Sequence, residues 1–458
     1  SAFEIPEHHH EDFMRRLIQV TICILLATAA LVIAPASAQD DDPPPTLAFE
    51  LATNTPRPTL PASLNLATNT PAATHTPSTT PTATNTATAT ATNTPTATDT
   101  PSPTPTPNGP FIYPEGVNSL TGLPYPSSEA LQRRNLLVKI SNFPPVVRPQ
   151  TGVNAADLVY EYEVEGGVTR FAAIYRSTAP EVVGPVRSGR LMDIELVTMH
   201  ESLFAYSGAS GPVQELILGQ DWRFQIISPS IGDNCEEAGF CRVERPGIAF
   251  EHTLFVDTNK VWERADARGI NQGYPARGFA FSEFPDAGGG VANDIFIDWY
   301  GRTSVRWQYD EEIERYQRYT DGVPHVDAAD GEQLWADNLV ILEVEHFDRP
   351  DLFAPDATNA SLEIAIYEQG RAYLFRDGQF YQGFWRRRNL EPGSAIQLIY
   401  GDNTPMMMQP GRSWVSVVRW FGEVTVTETK VDADATAAVV IQSSTPTTTV
   451  TPTATARP

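Results

Sequence analysis

Three polar clusters crowd one stretch of this chain: Arg148-Pro149-Gln150-Thr151-Gly152, Glu165-Gly166-Gly167-Val168-Thr169-Arg170 and Gly184-Pro185-Val186-Arg187-Ser188-Gly189-Arg190. An arginine holds a carboxylate or phosphate through paired N–H groups, and glycine lets backbone approach the same group closely. Arg148, Arg170, Arg187 and Arg190, with Thr169, Ser188 and the acids Glu161 and Glu165 to orient them, therefore define a candidate pocket for an anionic or polar ligand. The alternative is a set of turn residues and surface ion pairs, which contribute little. A second group follows: Leu203 to Tyr206 reads as a strand, Ser207-Gly208-Ala209-Ser210-Gly211 as a loop, and Pro212 to Leu218 as a helix. That order puts backbone N–H groups and the hydroxyls of Ser207 and Ser210 at one strand end. Ser207 or Ser210 with His252 and Asp193 makes a hydrolytic triad on paper. The Gly-x-Ser-x-Gly spacing of a nucleophile elbow is absent, however, and His252 reads instead as a buried hydrogen-bonding residue or a support to the site.

Other chemistries are excluded more sharply. A phosphate-binding Gly-Lys-Ser/Thr loop and a dinucleotide fingerprint are both missing, so no cofactor is expected. Cys235 and Cys241 have no histidine nearby, which argues against zinc; in an exported protein their spacing predicts a local disulfide, and no metal is expected. The chain carries 32 Lys and Arg against 56 Asp and Glu, a net charge of −24. A polyanion binder presents a basic face, so nucleic acid is not an expected partner.

The elements that must position these residues fall into two parts. Residues 109–290 predict an α/β domain. Leu136 to Ile140 is a strand, and Asp157 to Val164 with Thr169 to Ser177 is a hairpin about Glu165-Gly166-Gly167. Alternation along Leu158, Tyr160, Tyr162 and Val164 turns those residues inward and leaves Glu161, Glu163 and Glu165 on a solvated face. Leu191 to Glu201 has helical spacing, and a helix start beside Arg187 and Arg190 suits an anion. Residues 291–425 predict a β-rich, mostly antiparallel domain of short alternating strands. Its Tyr381, Phe384, Trp385, Trp414 and Trp420 are either core packing, the preferred reading, or a stacking surface for sugar.

The remaining segments speak of location. Residues 1–13 lie upstream of a natural start at Met14 and read as an extension; their His8-His9-His10 is given no metal role. Residues 14–38 read as a signal peptide, with Arg15 and Arg16 before the apolar run Leu17 to Ile33 and Ala36-Ser37-Ala38 before the cut. Left uncleaved, that run would instead tether the chain to a membrane. Residues 39–108 and 426–458 are Thr/Pro-rich, with too little apolar surface to fold, and are expected to be a disordered linker and tail open to O-glycosylation. Extended at ~3.1 Å per residue, the linker reaches roughly 200 Å. The expected place is therefore the cell envelope, the cell surface or outside the cell, and the expected partner a cell-wall or extracellular glycan or peptidoglycan fragment. The rival expectation is an envelope hydrolase or transferase using a serine or carboxylate in the same pocket.

The clusters at Arg148 to Gly152, Glu165 to Arg170 and Gly184 to Arg190 resemble motifs of the YerB-like family of bacterial lipoproteins. So do Leu120-Thr121-Gly122-Leu123-Pro124, Ala156-Asp157-Leu158-Val159-Tyr160-Glu161 and Gly322-Val323-Pro324-His325-Val326-Asp327. The resemblance covers Leu120 to Trp420 and implies an N-terminal and a smaller C-terminal domain without naming any chemistry. The sequence departs from the family's lipid-anchoring pattern, because its early cysteine, Cys23, lies inside the apolar run.

Overall fold

The computed structural model describes residues 108–352 and 360–431. The extension, the signal segment and nearly all of the linker and tail lie outside the described residues.

Most of the described chain is strand, in mixed and antiparallel sheets, with few helices. The first half supplies β1 (Leu136–Ser141), β2 (Leu158–Val164), β3 (Val168–Tyr175), α1 (Leu191–His200), β4 (Leu203–Ala205), α2 (Gly211–Leu218), β5 (Ile226–Ile227) and α3 (Thr258–Ala267). The second supplies β6 (Asp294–Trp299), β7 (Thr303–Asp310), β8 (Arg315–Thr320), β9 (Asn338–Glu343), β10 (Gln369–Arg376), β11 (Gln379–Arg387), β12 (Ile396–Ile399), β13 (Ser413–Val418) and β14 (Val424–Thr427). One large sheet runs in the order β12-β11-β10-β9-β13-β2-β3-β1-β4-β5. Both halves contribute to it. They meet where β13 lies parallel to β2, with Leu158 opposite Ser413 and Tyr162 opposite Val417. A second, antiparallel sheet is built on β8-β7-β6-β14. β14 runs into the first residues of the segment expected to be tail, because Val424 to Thr427 pair with β6.

The hairpin forms as its pattern predicts, with Val164 opposite Val168 and positive φ at Gly166 and Gly167 in the turn, a conformation glycine adopts without strain. The solvated face expected for its acids is not there. Every residue of β2 is buried, Glu161 and Glu163 included. On one face Tyr160, Tyr162 and Ile174 pack with Leu196 and Val197 of α1. On the other, Val159, Phe171 and Ala173 pack with Ile295, Trp307 and Tyr316 of the second sheet. That sheet is contributed by the distant half of the chain and covers the surface that alternation assigned to water. Arginines neutralise the acids: Arg318 of that sheet meets Glu161, and Arg419, just beyond β13 of the large sheet, meets Glu163.

The five aromatic residues do not form one platform. Trp385 and Tyr381 are buried in the first core and Trp414 in the second, where its ring sits edge-on to Phe171 at 5.0 Å and to Trp307 at 5.2 Å. Phe384 and Trp420 are exposed. Cys235 and Cys241 are joined in a disulfide.

Candidate anion-binding site

The large sheet separates the candidate residues onto its two faces. On the α1 face, the segment from Gly184 to Arg190 crosses the C-terminal ends of β1 and β4. Ser141 N donates to Pro185 O at 2.9 Å, Arg187 N to Lys139 O at 2.9 Å, and Val186 N to Leu254 O at 2.7 Å. Gly184 is required for this passage, since a Cβ there would lie 2.9 Å from the Phe255 ring and 3.0 Å from Leu254 O. The crossing segment also holds the loop after β4: Ser207 N donates to Arg187 O at 3.0 Å and Gly189 N to Gly208 O at 2.8 Å. Ser210 ends that loop at the N-cap of α2. The site thus lies outside the carboxyl ends of the parallel strands β1, β4 and β5, where open sheets present loop N–H groups to ligands.

Charges gather there. Glu165, on the hairpin turn, is ion-paired with Arg190. Arg170 donates to Ser188 O at 2.8 Å, and Arg187 to Glu251 O at 3.2 Å. Both partners are neutral carbonyls, and among the described residues no ion pair is made by Arg170 or Arg187. The Arg187 Nε is enclosed and has no hydrogen-bond partner. Burial, reinforced by Arg190 and Arg187, pushes the Arg170 pKa well down, and burial also lowers that of Arg187. An arginine stays protonated in such surroundings, so the displacement reflects first the cost of burying a cation and, at Arg170, the neighbouring positive charges, both of which an anion would relieve. His252 stands beside them with its Nδ1 3.4 Å from Ser141 Oγ. Burial, then Arg187, lowers its pKa.

Beneath the arginines lies a group absent from the sequence-based site. Lys139 of β1 is completely enclosed, 3.2 Å from Asp193 Oδ1 and hydrogen-bonded to the Tyr162 hydroxyl, which also donates to Asp193. The other Asp193 oxygen accepts from Arg190 N at 2.7 Å, where α1 begins. Burial lowers the Lys139 pKa to about 7, with Arg170 and Arg190 adding to the fall and Asp193 opposing it. Burial and Asp193 push the Tyr162 hydroxyl far up. The signal for this group was a lone lysine in Leu136-Leu137-Val138-Lys139-Ile140, read only as an apolar strand. A lysine inside such a run is costly unless partnered, and its chain has just two others, Lys260 and Lys430.

Arg148, Glu161 and Thr169 belong to the opposite face. Glu161 accepts two bonds from Arg318, at 2.8 and 2.9 Å, and further bonds from Thr169 Oγ1 at 2.8 Å and Trp414 Nε1 at 3.3 Å. Arg148 reaches Asp321 Oδ2 at 2.6 Å. His325 lies between Gln150 Oε1 at 2.7 Å and Thr320 Oγ1 at 2.8 Å, while Asp327 accepts from Gly152 N at 2.8 Å and Asn154 N at 2.7 Å. The clusters around Arg148 and His325 are therefore two sides of one buried junction. Glu165 shares the parity of Glu161 but not its fate, because the turn at Gly166 and Gly167 ends the alternation.

Strand ends, a crossing loop and unmatched arginines define a β-rich protein with a candidate polar-ligand site, and its family is one without an assigned activity. A family model described as the N-terminal domain of a protein of unknown function, DUF3048, matches residues 120–271, and the model of the corresponding C-terminal domain matches residues 295–415. The chain belongs to this family. It is similar to a protein named "Putative lipoprotein YerB" from Bacillus subtilis (strain 168), with 27% identity over 314 residues, 65% of this chain and 85% of that protein. The fold is also like that of the YerB crystal structure from Bacillus subtilis, with a TM-score of 0.57 and 24% identity over 68% of this chain and 99% of that one.

Proposed function

We propose that this is an exported cell-envelope protein that binds an anionic fragment of the envelope, of glycan or peptidoglycan type, between Glu165 to Arg170, Arg187 to Arg190 and the Ser207 to Ser210 loop. The observation that carries the reading is the pair Arg170 and Arg187, whose described hydrogen bonds go to carbonyl oxygens although they share a crowded cationic site. A carboxylate of a stem peptide or a phosphate on a glycan would satisfy both. Support for the envelope comes from the signal-like residues 14–38 and from a relative named as a lipoprotein.

Binding is favoured over hydrolysis by what the other groups are doing. Asp193 is engaged by Lys139, Tyr162 and the Arg190 backbone, and His252 is hydrogen-bonded to Ser141. Neither is aligned on Ser207 or Ser210 as a triad requires. The test is to incubate the purified protein with defined muropeptides, measure binding calorimetrically and follow the mixture by mass spectrometry. Saturable binding that is lost in Arg187→Gln, with the muropeptide recovered unchanged, is the expected result. Cleaved or transferred product would replace this reading with the enzymatic one.

A further inference from the structure

A second concentration of arginine lies where β11 leaves the sheet. Arg386, Arg387 and Arg388 line a hollow of about 620 Å³ together with Phe111, Glu368 and Gln369. A neighbouring hollow of about 310 Å³ shares Phe111 and Arg388 and adds Arg277. The three consecutive arginines are used differently. Arg387 points inward, its side chain fully enclosed, and is ion-paired with Glu195 of α1 while its Nε donates to Ser394 O at 3.3 Å. Its Nη2 is buried with no hydrogen-bond partner. An unmatched donor on an enclosed guanidinium is costly unless something accepts from it.

The flanking arginines leave their charge open. Arg386 donates to two neutral amides, Gln397 Oε1 at 3.1 Å and Asn403 Oδ1 at 2.9 Å. Arg388 is exposed and lies 5.1 Å over the Phe111 ring, which is itself 44% exposed. Among the described residues neither Arg386 nor Arg388 is ion-paired, and Glu368 is the carboxylate in the lining of this hollow.

We propose that this hollow is a second ligand site, one that takes a saccharide bearing a phosphate or a carboxylate. The anionic group lies between Arg386 and Arg388, above the enclosed Arg387, and the sugar ring covers Phe111. Planar guanidinium groups suit either anion, and the apolar face of a sugar ring suits an exposed aromatic side chain. This site shares no lining residue with the pocket around Arg170 and Arg187, so the two stand or fall separately.

Calorimetry on the full chain tests it with glucose 1-phosphate, glucuronate, neutral glucose and inorganic phosphate as probes. Saturable binding of at least one anionic sugar is expected, with glucose weaker by about tenfold or more, the loss of one charge-assisted contact. A preference for glucose 1-phosphate assigns the site to phosphate-bearing polymers, and a preference for glucuronate to uronate-bearing ones. Arg388→Ala and Arg386→Gln should each weaken binding about tenfold at an unchanged melting temperature. Phe111→Ala should weaken it severalfold, and the binding that depends on Arg386, Arg388 and Phe111 should persist in Arg187→Gln, which removes any contribution from the strand ends. Failure of both anionic sugars to bind at millimolar concentration would overturn the proposal, as would wild-type affinity in both arginine variants. Inorganic phosphate binding as tightly as the sugar phosphate would overturn the saccharide assignment.

Discussion

On one face of β2, Glu161 meets Arg318 through two hydrogen bonds and its remaining acceptor capacity is filled by Thr169 and Trp414. On the other face, Tyr162 touches a lysine and an aspartate that lie below two arginines whose described bonds go to backbone carbonyls. Successive residues of one strand thus belong to networks of opposite character. The first is matched charge for charge and is sealed between the large sheet and the second sheet. The second crowds cations at the ends of parallel strands and leaves an arginine donor unused. Matched charge fixes a junction; unmatched charge at an open edge invites a ligand.

The contrast breaks most directly at Glu161. Glu161→Gln leaves the Arg318 cation buried without its counter-ion, and is expected to lower stability by about 3–5 kcal/mol in urea denaturation. The paired change Glu161→Leu with Arg318→Met should recover most of that loss, since removing both charges abolishes the desolvation cost. A loss under about 1 kcal/mol in Glu161→Gln would place the junction among ordinary surface pairs.

The two faces should also answer pH in the same direction but in different ranges. Burial, with Arg318 beside it, holds the His325 pKa well below its ordinary value of 6.5. The unfolded chain then takes up a proton that the folded one refuses, so stability from this group is present above about pH 6.5 and falls as acid is added. Lys139 titrates at about 7 when folded and at 10.5 when free. Between those values the unfolded state binds the extra proton, so this group makes stability rise with pH, by up to ~1.4 kcal/mol per unit. Denaturation curves over pH 5 to 10 should show the alkaline rise flattened in Lys139→Met and the acid fall flattened in His325→Gln. Slopes unchanged from wild type would separate these residues from the networks assigned to them.

Smaller effects sharpen the other side. Arg170→Gln and Arg187→Gln are expected to change stability by under about 1 kcal/mol, because neither breaks an ion pair. Each should weaken muropeptide binding by about 1.5–3 kcal/mol. Equal losses of fold and binding would mean that these arginines, like Arg318, belong to the framework.

Local pattern carried part of this. The hairpin, α1, the loop before α2 and the disulfide follow from turn glycines, helical spacing and the isolated pair of cysteines. The placement of Glu161 did not, because period-two alternation says which residues share a face and not what will cover it. The cover comes from Arg318 and Trp414, more than a hundred residues away. Arg148 looked like a pocket residue for the same reason: its partner, Asp321, is remote in sequence. Lys139 was legible in principle, as a single charge within an apolar strand.

A crystal structure of the protein grown with a muropeptide bearing a free carboxylate addresses the central claim. The account predicts density for that carboxylate between Arg170 and Arg187, against the Ser207 to Ser210 loop, with Glu161 still held by Arg318. Strand ends that stay empty while muropeptide binds elsewhere on the protein would contradict it.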